Sequence, residues 1–223
     1  MRYARAHRLV GTLTGAALIA ASDLVVGAWN LSMPAATGTG FTVVPFRQEL
    51  PAAVAALAVA SMYSTMENLE RMGGMRLRCF ERAHVVTAIL AAAALMWTAE
   101  AATAGPGPAG AGARSALIWG CAAVVSGRSF GWRLSWVLPV STLFPLIYYG
   151  HGHDGAARWW NWPDQPANAP VPWLLAAAST LIAAAAFRAT PWRGHALRRV
   201  HWPSRLAPTG AGRNEVEASN DNG

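Results

Sequence analysis

Lysine is absent from this sequence, and all 18 basic residues among its 223 are arginines. Together with heavy alanine use, this bias is typical of a GC-rich genome of the actinobacterial kind. Without lysine the chain has no Walker-type GxxxxGK(S/T) motif, so we expect no nucleotide site of that type. Cysteine is also scarce: Cys79 and Cys121 do not make a disulfide framework, and we expect both to be unpaired thiols.

Charge is scarce as well. Charged residues make up 13% of the chain and hydrophobic residues 53%, whereas about a quarter of an ordinary soluble domain is charged. The net charge of +7 would suggest nucleic-acid binding only if the arginines clustered on a soluble surface. Here they flank apolar segments instead. The composition therefore predicts a partner in the lipid bilayer and none among nucleic acids.

Six segments are nearly free of charge, and most approach the ~20 apolar residues that cross a ~30 Å hydrocarbon core. None shows the polar face that a surface helix of a soluble bundle needs. The sequence therefore predicts an all-α fold, a polytopic integral membrane bundle of six transmembrane helices. The predicted spans are residues 9–30, 49–66, 84–104, 111–127, 132–149 and 171–188. Between the third and fourth, the low-complexity stretch AGPGPAGAGA predicts a flexible outer turn.

The arginines predict the orientation of these spans. Fifteen fall on one side of the alternating segments, and three fall on the other: Arg47, Arg114 and Arg158. Because cytoplasmic loops carry the Lys/Arg excess, we expect both termini in the cytoplasm of a plasma-membrane protein. Residues 1–203 would form the transmembrane domain and residues 204–223 a disordered cytoplasmic tail. A cleaved signal peptide is the alternative for the first segment, but its apolar run continues past the small residues of AASD.

The loop GHGHDGAARWWNWPDQ, residues 150–165, joins metal-ligand chemistry to a group of tryptophans. Its three ligand-type residues are His151, His153 and Asp154. They lie on a glycine-rich turn without the further ligands that a held site needs, so we expect neither a metal nor a cofactor. The tryptophans belong to the type enriched at membrane–water interfaces. We predict an interfacial anchor, a short helix in the outer headgroup layer, formed by Trp159, Trp160 and Trp162.

The connection between the second and third spans contains ENLERMGG, a helical turn that breaks at two glycines. Together with six spans, both ends inside and a basic N-terminal segment, it resembles the permease subunits of ABC-2-type exporters. The resemblance implies a coupling element that docks on a separate ATPase subunit, and a homodimer or heterodimer. Its residues here are Glu67, Glu70, Arg71, Gly73 and Gly74. On charge alone, a solvated positive-inside loop is the alternative.

Two acids and two prolines stand out within the predicted spans. Asp23 is expected in the middle of the first span and Glu100 near the outer end of the third. A charge at mid-bilayer costs at least ~2.5 kcal/mol, so both are functional candidates. Pro139 and Pro145 should each remove a helix hydrogen bond and kink the fifth span. Broken helices often line substrate paths in transporters.

Three functions follow from these observations. The leading hypothesis is the permease subunit of an ABC-type exporter, which exports a hydrophobic or peptide-like product or confers self-resistance to it. The second is an intramembrane enzyme, terpene-cyclase-like or lipid-modifying, that uses a buried carboxylate. The third is an accessory membrane subunit without transport or catalysis. The lack of a recognised catalytic motif favours a protein that is not an enzyme.

Overall fold

A computed structural model describes residues 9–34, 41–63, 75–152 and 156–188. This part of the chain is mostly helical, which confirms the predicted fold class in its main feature. The predicted cytoplasmic tail and the ENLERMGG turn lie outside the described residues.

Six helices are present in the described ranges. They are α1 (Leu9–Val26), α2 (Leu50–Ala60), α3 (Met75–Thr103), α4 (Pro106–Phe130), α5 (Val137–Tyr149) and α6 (Pro170–Arg188). Three of them are long and apolar enough to cross a membrane: α3 from Cys79 onwards, α4 and α6. The chain is therefore a membrane protein by the length and composition of its helices. The apolar stretches of α1, α2 and α5 are shorter.

Helix α4 begins at Pro106, within the stretch expected to be a flexible turn. That prediction is wrong for residues 106–113, which are helical. Gly105 precedes the helix at φ +93°, a conformation that favours glycine. Pro106 then has the backbone angle that a first helical residue needs, and its missing N–H would have no partner there. A proline- and glycine-rich start thus opens the helix.

A β-hairpin that the sequence did not predict follows α1. Strands β1 (Asn30–Pro34) and β2 (Phe41–Pro45) pair antiparallel, with Asn30 opposite Pro45. One turn of 3-10 helix, Phe46–Gln48, leads into α2, and the backbone N–H of Phe46 donates to the carbonyl of Trp29 at 2.9 Å. The hairpin therefore returns the chain to the end of α1, and places Arg47 beside that helix.

Helix α4 is the central helix of the bundle, in contact with α2, α3, α5 and α6. Its buried side includes small residues, such as Ala116, Gly120 and Ala123, which let helix backbones approach closely in a membrane protein. A Cβ placed on Gly120 would lie 3.1 Å from Ile89 of α3. Close packing of α3 against α4 therefore requires a very small residue at this position.

Large apolar side chains cover the outward faces of α1, α3 and α6. Several are more than half exposed: Val10, Leu18, Val25, Val86, Leu90, Leu174, Leu181 and Ile182. Soluble monomers rarely expose contiguous apolar patches of such extent, whereas a helix in lipid has its backbone bonded internally and its side chains in contact with acyl chains. The surface therefore agrees with embedding in a bilayer.

Replacement of Gly127 by alanine is expected to lower the free energy of unfolding by about 1–3 kcal/mol, the usual cost of overpacking a core. Gly127 is buried on α4, and a Cβ there would overlap the indole of Trp132. Thermal unfolding in detergent measures the effect. Gly107→Ala is the matched control on the same helix, because a Cβ at Gly107 has open space. Equal unfolding midpoints for the two variants would contradict the packing argument.

Candidate functional site

A cluster of polar side chains lies at the end of the bundle where α1 and α3 finish and α2 and α4 begin. We call this end the polar end. Asp23 lies in the last turn of α1, Glu100 near the end of α3, and Arg47 on the 3-10 turn before α2. The placement of Asp23 corrects the expectation that it lies in the middle of a span, because its helix ends at Val26. Both acids singled out in the sequence thus come together.

Arg47 joins the two acids. Its Nε donates a hydrogen bond to Asp23 Oδ1 at 3.2 Å and lies 3.1 Å from Glu100 Oε2. The hydroxyl of Thr103 donates to the other oxygen, Asp23 Oδ2, at 3.2 Å. The side chains of Asp23 and Glu100 are 0% and 3% exposed. We call Asp23, Arg47, Glu100 and Thr103 the acid cluster.

The two carboxyl groups of the acid cluster are held differently. Asp23 accepts hydrogen bonds on both oxygens, from Arg47 and from Thr103. Glu100 Oε2 is close to the guanidinium but accepts no hydrogen bond from the described residues, because the single N–H of Arg47 Nε is directed to Asp23. Asp23 is therefore the hydrogen-bonded partner of Arg47, and Glu100 lies beside the guanidinium without a hydrogen bond to it.

An open cavity of about 510 Å³ adjoins the acid cluster at the polar end. Its polar lining includes Arg47, Gln48, Glu100, Ser115, Asp164 and Gln165, among prolines, alanines and glycines. Gly112 of α4 also lines it, and a Cβ there would lie 3.0 Å from Glu100 Cγ. Because glycine has no Cβ, the Glu100 side chain has space beside Gly112 to extend to the cavity.

The loop between α5 and α6 supplies a second polar pair. His151 Nε2 lies 2.7 Å from Asp164 Oδ2, and Gln48 donates to Asp164 Oδ1. The neighbours Arg47 and Gln48 thus connect the acid cluster and the loop. Asp164 was not singled out in the sequence, while His153 and Asp154 lie outside the described residues. Within the described ranges, no group of three His, Cys, Asp or Glu residues is placed to hold a metal ion.

Arg114 of α4 holds this loop in place. The side chain is buried, although the sequence indicated only an arginine on the outer side. Nη1 donates to the Pro166 carbonyl at 2.9 Å, and Nη2 donates to the carbonyls of Trp162 at 2.9 Å and Gln165 at 2.7 Å. A planar guanidinium suits several acceptors at fixed angles. The backbone on both sides of Asp164 is therefore tied to the central helix.

The three tryptophans of the loop are not equivalent. Trp159 is 72% exposed, whereas Trp160 and Trp162 pack against a buried cluster that includes Trp119 of α4. The ring centroids of Trp119 and Trp162 are 5.1 Å apart. Residues 159–164 form turns rather than the expected short helix. Two of the three rings therefore fasten the loop to the bundle, and Trp159 remains the candidate for an interfacial contact.

The prolines of α5 do not act alike. Pro139 lies in the first turn, where a backbone N–H has no helical partner, so its expected kink is wrong. Pro145 is inside the helix and leaves the carbonyl of Ser141 without its helical bond. The nearby hydroxyls of Ser141 and Thr142 donate to a different carbonyl, that of Leu138, at 3.1 and 2.8 Å. Neither proline is among the residues that line the cavity at the polar end.

The residues assigned to the ATPase-coupling turn, 67–74, lie outside the described part of the chain, so their role stays a prediction. Comparison with protein-family models, curated proteins and solved structures found no match for this chain. A functional proposal must therefore rest on the geometry of the polar end.

Proposed function

We propose that this chain is an integral membrane enzyme that uses Glu100 as a general acid on an apolar substrate in the cavity at the polar end. One observation carries the proposal: Glu100 is buried and lines the cavity, while Arg47 donates its Nε hydrogen bond to a second acid, Asp23. Of the functions raised by the sequence, the geometry favours the enzyme with a buried carboxylate. The permease and the accessory subunit stay predictions, since no described contact favours either.

The charges of the acid cluster support an acid in this position. Two ionised carboxylates and one guanidinium would leave a net negative charge in an apolar interior, which is costly. A proton on Glu100 makes the cluster neutral, with Asp23 and Arg47 as the remaining ion pair. A carboxylic acid that lines a cavity is the kind of group that protonation of a bound substrate requires.

The other members of the cluster have supporting roles in this proposal. Arg47 lies 3.1 Å from Glu100 Oε2, so it stabilises the carboxylate that forms once the proton has left. Asp23 positions Arg47 by the 3.2 Å hydrogen bond to Nε, and Thr103 in turn holds Asp23. Asp23 does not line the cavity, so we assign it a positioning role.

The placement in the membrane is part of the proposal. The arginine distribution supports six crossings of the plasma membrane with both termini in the cytoplasm. In that orientation the polar end faces the outside, and the cavity opens near the outer membrane–water interface. An apolar substrate would enter from the lipid, and water would remain available at the mouth of the cavity.

Replacement of Asp23 by asparagine tests the proposal. The variant loses the negative partner of Arg47, and we expect turnover to fall on the order of 10- to 100-fold, as for a displaced catalytic group. The purified chain in phospholipid vesicles is incubated in D2O with a chloroform extract of its source membranes. Deuterium uptake into apolar molecules is then measured by mass spectrometry.

Ser22→Ala provides the matched control for this experiment. Ser22 is the neighbour of Asp23 on α1, and its hydroxyl donates only to the Ile19 carbonyl in the described structure. Deuterium uptake by this variant should equal that of the wild-type protein. Undiminished uptake by a folded Asp23→Asn protein would remove Asp23 and Arg47 from the proposed mechanism.

A further inference from the structure

Asp164, which is paired with His151, is a second acid–base group in the same cavity as Glu100. Asp164 lines the cavity and accepts hydrogen bonds from Gln48 on one oxygen, while His151 Nε2 lies 2.7 Å from the other. The side chains of His151 and Asp164 are 24% and 29% exposed, against 3% for Glu100. The cavity therefore contains one buried carboxyl group, Glu100, and one that is partly exposed to water, Asp164.

We infer that Asp164 is the proton acceptor of the reaction that Glu100 begins, and that His151 positions its carboxylate. The inference rests on the proposed function. Two carboxyl groups in contrasting environments divide into an acid and a base: we assign the buried Glu100 as the acid and the hydrogen-bonded, partly solvated Asp164 as the base. Because Arg114 ties the loop on both sides of Asp164, the base has a defined position.

The two groups define a balanced reaction. The O–H bond of Glu100 breaks, and the π electrons of a substrate double bond form a new C–H bond with its proton. The neighbouring carbon becomes a cation. A C–H bond beside the cation then breaks, its electron pair forms a new double bond, and the proton goes to the Asp164 carboxylate. Asp164, which lines the open cavity, gives that proton to water, and Glu100 regains one from water, so no oxidant or reductant is needed.

This chemistry selects an uncharged alkene as the substrate. The net result is an isomerisation, or a ring closure where a second double bond attacks the cation. A phosphorylated or other anionic substrate is disfavoured, because Asp164 adds negative charge to a cavity whose lining holds one cation among the described residues, Arg47, and Asp23 already pairs with that cation. No leaving group is required, since the proton alone starts the reaction.

The experiment compares Asp164→Asn with wild type in the vesicle assay in D2O, with the chloroform membrane extract as the probe. Without its base the cation is captured by water. We therefore expect deuterium uptake to persist while the ratio of alcohol to alkene products rises at least about 10-fold, as for loss of a general base. His151→Gln leaves the Asp164 carboxylate present, so it should raise this ratio less than Asp164→Asn does.

Trp173→Phe controls for loosening of the loop. It removes the 2.8 Å hydrogen bond from Trp173 Nε1 to the Ala167 carbonyl and keeps an aromatic ring beside the Arg114 guanidinium, so its products should match those of wild type. If Asp164→Asn has no cooperative unfolding transition, Asp164→Ser decides the same point.

The outcomes separate this inference from the proposed function. A wild-type product ratio and rate for the folded Asp164 variant, with Glu100→Gln inactive, would overturn the role of Asp164 and leave the proposed function standing. Full activity of Glu100→Gln would overturn the proposed function itself. Absence of deuterium uptake by the wild-type protein would overturn both.

Discussion

Glutamine at position 100 is expected to reduce turnover by about 100- to 10,000-fold, the range attributed to a general acid. The substitution keeps the size of the side chain and removes the proton that it would donate. Glu100 is buried, and its Oε2 lies 3.1 Å from Arg47 Nε without accepting a hydrogen bond from the described residues. Deuterium uptake from D2O into the apolar extract measures the loss.

Glu81→Gln is the matched control for this variant. Glu81 lies on the same helix, is 30% exposed, and has its Oε1 3.6 Å from Arg128 Nη1, away from the cavity. Its replacement should leave turnover within about twofold of wild type, because the pair is partly exposed and weak. Equal activity for Glu100→Gln and Glu81→Gln would exclude Glu100 as the acid.

Chemical labelling gives a readout of Glu100 that does not depend on the substrate. Dicyclohexylcarbodiimide is apolar and reacts with protonated carboxyl groups. Glu100 should be modified in the wild-type protein, and the peptide that contains residue 100 should be unmodified in Glu100→Gln. An unlabelled Glu100 in the folded wild-type protein would contradict the proton that the mechanism assigns to it.

Methionine at position 114 is expected to lower the free energy of unfolding by about 3–5 kcal/mol, because it leaves several partly buried carbonyls without a donor. The Arg114 guanidinium donates to three loop carbonyls in partly buried surroundings, and each one costs about 1–3 kcal/mol where water does not replace the donor. Thermal unfolding in detergent measures the loss. Because the same loop carries Asp164, product formation should also fall.

Two further arginine variants refine this prediction. Arg114→Lys keeps the charge, but a single ammonium group lacks the planar fork, so its stability should lie between wild type and Arg114→Met. Arg133→Ala removes an exposed arginine and should change the free energy of unfolding by no more than about 0.5 kcal/mol. A wild-type unfolding midpoint for Arg114→Met would show that the loop is held by other contacts.

A second arginine of α4 acts at the opposite end of α6. Arg128 Nη2 donates to the Phe187 carbonyl at 3.3 Å, and its guanidinium carbon lies 4.7 Å from the Phe187 ring centroid. A cation at a helix C-terminus is favourable for the helix dipole. Arg114 holds the chain before α6 and Arg128 holds its last turn, so the central helix fastens α6 at both ends.

The sequence predicted where the six helices of the described ranges lie more accurately than it predicted their first and last residues. Apolar runs with little charge mark each of the six, since the preference of a segment for lipid depends on its own residues. The start of α4 and the β-hairpin after α1 were missed. The first depends on Gly105 and Pro106 as a helix start rather than a break, and the second on pairing between strands that a hydropathy pattern does not report.

The site was predicted in part. Asp23 and Glu100 stood out because an acid in an apolar run is costly. Asp164 did not, because an acid in a polar loop is ordinary. A signal for the missing partners was present: of the three arginines on the arginine-poor side, Arg47 joins the acid cluster and Arg114 is buried.

By itself, the sequence determined that this is a helical membrane protein, because the transfer free energies of its residues add up along each apolar run. It also determined that two acids, Asp23 and Glu100, lie in runs where a charge is costly. Only the tertiary structure decided which charges meet. Arg47 is 24 residues from Asp23, and Gln48 is 116 residues from Asp164. Such contacts exist because helix ends and the hairpin converge at the polar end. The stabilisation of a buried charge therefore depends on the partners that the fold brings to it, and not on the residues beside it in the sequence.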